Sequence, residues 1–171
     1  MLIESNTQKF LEFIFKCPTK GFTIRDIAKE IKVSPPTSAE IVKKLEKKEL
    51  IEVKREKVQH KVFGNVEGDY FRKLKRIYNI FFLMDFTDYL VEKLNPDSIV
   101  VFGSYSKGED IEGSDIDIFM DCTPEKEIDV LKFEKRLNRK IHIISKPIKD
   151  INEELRGNIM NGVILYGVLE C

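Results

Sequence analysis

Residues 102–118 read Phe-Gly-Ser-Tyr-Ser-Lys-Gly-Glu-Asp-Ile-Glu-Gly-Ser-Asp-Ile-Asp-Ile, and this stretch decides the reading of the second half of the chain. An apolar run, Ser98–Phe102, ends on Gly103 and Ser104. A glycine there lets the backbone approach a phosphate closely, and a helix beginning there points its N–H groups at the anion. Asp115 and Asp117 are two residues apart, so on a strand both carboxylates project from one face. Two carboxylates facing a phosphate-sized gap suit Mg²⁺, which takes oxygens from one or two side chains and completes its shell with substrate phosphates.

Outward from this stretch, the apolar pattern predicts a strand (Ser98–Phe102), a turn and short helix (Ser104–Gly108), a spacer, a strand (Ile116–Asp121) and a helix (Glu125–Leu137). A strand (Lys140–Ser145), a helix (Ile148–Asn161) and a final apolar piece, Val163–Tyr166, follow. Alternating elements this short suit a small α/β sheet with helices on one side. Upstream, residues 67–94 predict one long helix, with Tyr70, Phe71, Leu74, Ile77, Tyr78, Phe81, Phe82 and Phe86 among its apolar positions, stopped by Asn95-Pro96-Asp97. Its apolar stripe is wider than one groove needs. Ordinary packing at each end is one explanation; a homodimer interface that buries the surplus face is the other.

The first 66 residues have a different rhythm. Residues 6–16 show helical spacing and stop at Cys17-Pro18; Thr23 reads as the N-cap of a second helix through Ile31. Ser34 caps a third, with Pro35 at its first position. Leu50–Arg55 and Val58–Phe63 then read as strands joined by a basic turn.

Lys+Arg and Asp+Glu both number 29, so net charge is uninformative, but residues 1–80 carry 18 basic against 11 acidic side chains and the rest carry the reverse. A basic front half favours nucleic acid, an acidic back half metal and nucleotide. Three scattered cysteines form neither a zinc pattern nor a disulfide framework, which suits a reducing cytosol. No apolar run approaches a membrane span and the N-terminus lacks the pattern of a secretory signal. The expectation is a soluble, cytoplasmic protein without a membrane partner.

The segment from Phe102 to Asp117 resembles the signature of the minimal nucleotidyltransferases in the DNA polymerase β-like superfamily. Phe102-Gly103-Ser104, Ser106-Lys107-Gly108 and Ser114-Asp115-Ile116-Asp117 fill its slots in order, with Ser106 where alanine is usual. The resemblance implies nucleotide binding by Gly103, Ser104, Lys107, Gly108 and Ser114. It also implies Mg²⁺, with Mn²⁺ as the alternative, on Asp115 and Asp117. The reaction would be transfer of a nucleoside monophosphate from an NTP to a hydroxyl, releasing pyrophosphate. Relatives supply a third carboxylate from a Gly-Arg-Lys-apolar-Asp stretch; its counterpart here is Asn138-Arg139-Lys140-Ile141-His142, with His142 in the acidic slot. An imidazole there is a softer metal ligand, a general base, or the mark of lost transfer with nucleotide binding kept. Such proteins often pair with a small helical partner protein.

Thr23–Ile51 with the basic hairpin resembles a winged helix-turn-helix. Glu49 stands where most relatives place glycine for a left-handed cap. The resemblance sends Thr37, Ser38, Lys43 and Lys44 towards DNA base edges and Lys54, Arg55, Lys57 and Lys61 towards phosphates. A plain protein-interaction module is the competing role. The expected fold class is a two-domain α/β (α+β) chain: winged helix-turn-helix at 1–66, linking helix at 67–95, and a small nucleotidyltransferase-type mixed sheet with flanking helices at 96–171. The competing whole-chain reading is a DNA-binding regulator, antitoxin-like, whose second domain is inactive or only binds nucleotide.

Overall fold

The computed structural model describes residues 5–55, 59–122 and 128–170. The chain divides into two compact units, Met1–Lys75 and Arg76–Cys171.

The first unit opens with helices α1 (Asn6–Lys16), α2 (Ile24–Glu30) and α3 (Pro35–Lys47). Each begins where a hydroxyl takes up an otherwise unpaired helix N–H: Ser5 accepts from Gln8, Thr23 from Asp26 and Ser34 from Thr37. At α2 the cap is reciprocal, because the Asp26 carboxylate also accepts from the Thr23 backbone N–H. Phe10, Ile14, Ile27, Ile41, Val42 and Leu45 turn inward and are buried. Strands β1 (Ile51–Arg55) and β2 (His60–Gly64) pair antiparallel, Ile51 opposite Gly64 and Arg55 opposite His60. Phe22 forms an isolated antiparallel bridge to Val62 on the other side of β2. Helix α4 (Asp69–Leu94) gives residues 69–75 to this unit, where Phe71 packs on Phe15 with ring centroids 5.1 Å apart. A side chain at Gly64 would meet the Phe71 ring at 2.6 Å, so glycine is required there.

The second unit holds residues 76–94 of α4, then β3 (Ser98–Phe102), α5 (Gly103–Lys107), β4 (Ile116–Asp121) and α6 (Leu131–Leu137). Strand β5 (Ile141–Ser145), a 3₁₀ turn (Ile148–Asp150), α7 (Glu153–Met160) and β6 (Val163–Gly167) complete it. The sheet order is β5-β4-β3-β6, with β4–β5 parallel and the other pairs antiparallel. Ile99, Val101, Ile116, Ile118 and Met120 pack on one side with Leu83, Phe86 and Leu90 of α4 and Phe133 of α6. Val100, Phe102 and Phe119 pack on the other with Ile148, Ile151 and Ile159. Helices therefore cover both faces, not one as expected from the sequence, because β3 and β4 are apolar on both sides.

Two helix boundaries also differ from the expectation. The helix expected from Glu125 begins at Leu131: residues 128–130 are irregular, the Asp129 backbone N–H donates to the Tyr89 hydroxyl and its carboxylate accepts from the Leu131 N–H. Residues 123–127 of that expected helix, and Val58 of the expected second strand, lie outside the described residues. The helix expected over Ile148–Asn161 is broken at an extended Ile151, after which the Asn152 side chain caps α7 by accepting from the Leu155 N–H. Among the described residues no helix is long and apolar enough to cross a membrane.

Candidate nucleotide site and nucleic-acid interface

Phe102, Asp117 and His142 lie abreast on β3, β4 and β5. Side chains two apart share a face, so Asp117 stands on the side of the sheet that carries Phe119 and His142 on the side that carries Ile144. His142 Nδ1 is 3.4 Å from Asp117 Oδ1. The imidazole expected in the third acidic slot thus meets the Asp117 carboxylate. Asp115, just before β4, is exposed, while Asp117 is partly covered. Gly103 adopts φ +70°, and a Cβ there would stand 2.6 Å from Asp117 Oδ2. Position 103 therefore needs glycine twice over: for its left-handed backbone and to leave the carboxylate room.

Helix α5 follows at once. Its N-cap, Phe102, offers no side-chain oxygen, and the helix ends on left-handed Gly108 at φ 74°. Ser106 Oγ donates to the Gly103 carbonyl, which braces the turn. Ser104 is partly exposed and Lys107 is exposed. Ser114 Oγ accepts from the Ile111 N–H, so its hydroxyl holds the spacer turn. The structure thus gathers Gly103, Asp117 and His142 at one end of the sheet. Ser114 serves the loop that leads into Asp115.

The spacer is held by residues that sequence reasoning passed over. Asp110 and Arg139 form a buried ion pair at 3.3 Å, with side chains 1% and 7% exposed. Asn79 of α4 donates to the Asp110 carboxylate at 2.7 Å and to the Tyr105 carbonyl at 2.9 Å. Arg139 also donates to the carbonyls of Ile111 and Ser114. One guanidinium therefore ties the loop carrying Asp115 to the start of the strand carrying His142. Burial raises the Tyr105 phenol well above its ordinary pKa, the Asp110 carboxylate adds to that, and Arg139 opposes it. Asn138, in the slot where relatives have glycine, takes the left-handed conformation at φ 52°, which asparagine tolerates. The signal for this network was a buried-type charge pair spread over 29 residues of sequence, which no local pattern encodes.

A cleft of about 540 Å³ adjoins His142, lined by Ile143, Ile144, Ser145, Lys146, Asp150, Ile151, Asn152 and Leu155. Among the described residues no three His, Cys, Asp or Glu side chains are grouped to hold a metal. Asp115 and Asp117 carry carboxylate oxygens, the donor type that a hard divalent cation takes.

In the first unit, Lys43 and Lys44 on α3 are exposed, and Thr37 is half-buried with its hydroxyl 2.8 Å from Ser34 Oγ. Ser38 is corrected: it is fully buried and its Oγ has no hydrogen-bond partner, so it faces the core and cannot reach a base edge. On the hairpin, Lys54 lies 4.9 Å from the Phe63 ring centre, and Arg55 makes two hydrogen bonds to Glu46 at 2.8 and 3.0 Å. Lys61 is half-buried; Lys57 lies outside the described residues. Glu49, in glycine's usual place, is left-handed at φ 57°, and its carbonyl accepts from the Asn65 side chain.

Two family models match the chain. Residues 83–166 match the family model described as "Nucleotidyltransferase domain", and residues 1–58 match "Iron dependent repressor, N-terminal DNA binding domain". A solved structure titled "Crystal structure of MepR, a transcription regulator of the Staphylococcus aureus multidrug efflux pump MepA" is similar over 54% of this chain and 67% of that one. Identity is 20% and the TM-score 0.40. No curated protein matches the chain. The chain carries a nucleotidyltransferase domain behind an N-terminal winged-helix DNA-binding domain.

Proposed function

From these two domains we propose that the chain transfers a nucleoside monophosphate from an NTP to a hydroxyl acceptor in the cytoplasm, with the winged helix bringing it to DNA. The observation that carries this reading is the register of Phe102, Asp117 and His142, which sets the bare Gly103 backbone against the Asp117 carboxylate and that carboxylate against the His142 imidazole. Asp115 and Asp117 would hold the divalent ion, Mg²⁺ or Mn²⁺, which when bound supplies charge neutralisation for the phosphates. Gly103 lets the phosphates approach the backbone, Ser104 offers a hydroxyl, and Lys107 offsets charge nearby. The acceptor oxygen attacks the α-phosphorus, the bond to the β-phosphate oxygen breaks, and pyrophosphate leaves. With the phosphates over β3 and α5, in-line attack comes from the β5 side, where the cleft beside His142 opens. His142 turns Nδ1 to Asp117, which leaves Nε2 to accept the acceptor's proton. Catalysis of this kind is mainly positioning and charge neutralisation.

A second reading has its own support. With an imidazole in the third acidic slot and no three-membered ligand group among the described residues, the domain suits a regulator that binds nucleotide without transferring it. Transfer of radiolabelled nucleotide to cell-extract components, with Mg²⁺ and then Mn²⁺, separates the two. Labelling abolished by Asp115→Asn with Asp117→Asn supports the enzyme. Metal-dependent ATP binding by calorimetry with no labelling under either ion supports the regulator.

A further inference from the structure

We propose that the open face of α4 is an interface between two copies of this chain, packed with their α4 helices antiparallel. The second unit buries Asn79, Leu83, Phe86 and Leu90 on one side of α4. The opposite side presents Ile77, Phe81 and Met84 at 64%, 52% and 56% exposure. At α-helical spacing these three fall within an arc of about 60°, so they form one stripe. A stripe of large apolar side chains left in water favours burial by a partner.

The charges at its ends select the partner. Lys73 lies one turn before Ile77 and Asp88 one turn after Met84, and both are exposed. A stripe with a cation at one end and an anion at the other complements a copy of itself running the opposite way. A parallel copy would set Lys73 on Lys73 and Asp88 on Asp88, like over like. The antiparallel register is also consistent by position. A two-fold axis midway between Ile80 and Phe81 brings Ile77 level with the second copy's Met84 and Lys73 level with its Asp88. The apolar pair and the ion pair share that one axis, with no residue of slippage between them. The proposal is independent of transfer chemistry.

Sedimentation equilibrium of the full chain over a wide concentration range tests it, with circular dichroism to confirm that each variant is folded. The wild type is expected to dimerise and Phe81→Asp to be monomeric. Lys73→Glu and Asp88→Lys should each weaken the dimer about ten-fold, because two pairs per dimer turn from attraction to repulsion. The two substitutions together should restore it to within about three-fold, since the pairs are re-formed with signs exchanged. A monomeric wild type at every concentration overturns the interface. A dimer that the double variant does not restore overturns the antiparallel register.

Discussion

A methyl group at position 103 would sit 2.6 Å from the Asp117 carboxylate on a backbone at φ +70°. Gly103→Ala therefore combines left-handed strain of about 1–3 kcal/mol with a displaced Asp117 carboxylate, the group proposed to hold the divalent ion. Urea unfolding should show the first, and calorimetry with ATP and Mg²⁺ should show lost binding. A variant that is destabilised yet binds normally would detach Asp117 from the nucleotide. The neighbouring carboxylates give the complementary test. Asp115→Asn with Asp117→Asn should leave stability close to wild type, since both are at least partly exposed, and remove metal-dependent affinity. Unchanged affinity sinks the site. At His142, aspartate restores the relatives' oxygen donor. A wild type that transfers label and loses this in His142→Asp makes the imidazole a participant; a gain of labelling makes it the reason for weak transfer. The Gly103 turn was legible in the sequence because turn chemistry is local; the strand expected to carry both aspartates begins at Ile116, so Asp115 precedes it and only Asp117 stands on it. The meeting of His142 with Asp117 needed the resemblance, because only the parallel pairing of β4 with β5 creates it.

Helix ends follow the same division between local and distant causes. The caps at Thr23 and Ser34 were legible because each hydroxyl serves an N–H three residues away. The break before α7 was missed because apolar spacing continues through it, while the Asn152 cap competes successfully for the chain. At α2, Thr23 hydrogen bonds hold the Asp26 carboxyl below its ordinary value of 3.8. A depressed carboxyl stabilises the fold above its unfolded pKa and loses that contribution as pH falls through the lowered folded value. Asp26→Asn should therefore flatten the acid limb of a stability–pH profile below about pH 5. An acid limb as steep as wild type would remove Asp26 from that role. At the end of α3, Glu49 holds φ 57° without being glycine. Glu49→Gly should raise stability by about 0.5–1 kcal/mol in urea melts, and a loss would mean that the Glu49 side chain contributes contacts. The Asp110–Arg139 pair was invisible to pattern reading because its partners meet only in three dimensions. Asp110→Ala leaves a buried guanidinium facing lost charge and should cost about 3–5 kcal/mol.

At the scale of the whole chain, charge separates along the sequence: residues 1–66 carry 14 basic and 9 acidic side chains, although the total balances. The structure narrows which of these can meet DNA. Lys43, Lys44 and Lys54 are exposed, whereas Arg55 already pairs with Glu46 and Ser38 is buried. A duplex-binding surface made of lysines acts by releasing counterions, so affinity should fall steeply with salt. Lys54→Glu with Lys61→Glu should weaken every duplex alike and lower the salt slope by about two, one phosphate contact for each lysine removed. Lys43→Ala should instead matter more on a preferred sequence than on a random one, because α3 is the element expected to face base edges. Ser38→Ala should leave DNA affinity unchanged, since the hydroxyl never reaches the surface, and should raise stability because an unpartnered buried oxygen is removed. Fluorescence anisotropy across a salt series with these variants separates the contributions. If no duplex binds even at low salt, the winged helix acts on protein, and the basic balance of the first 66 residues is a solvated surface with no nucleic-acid partner.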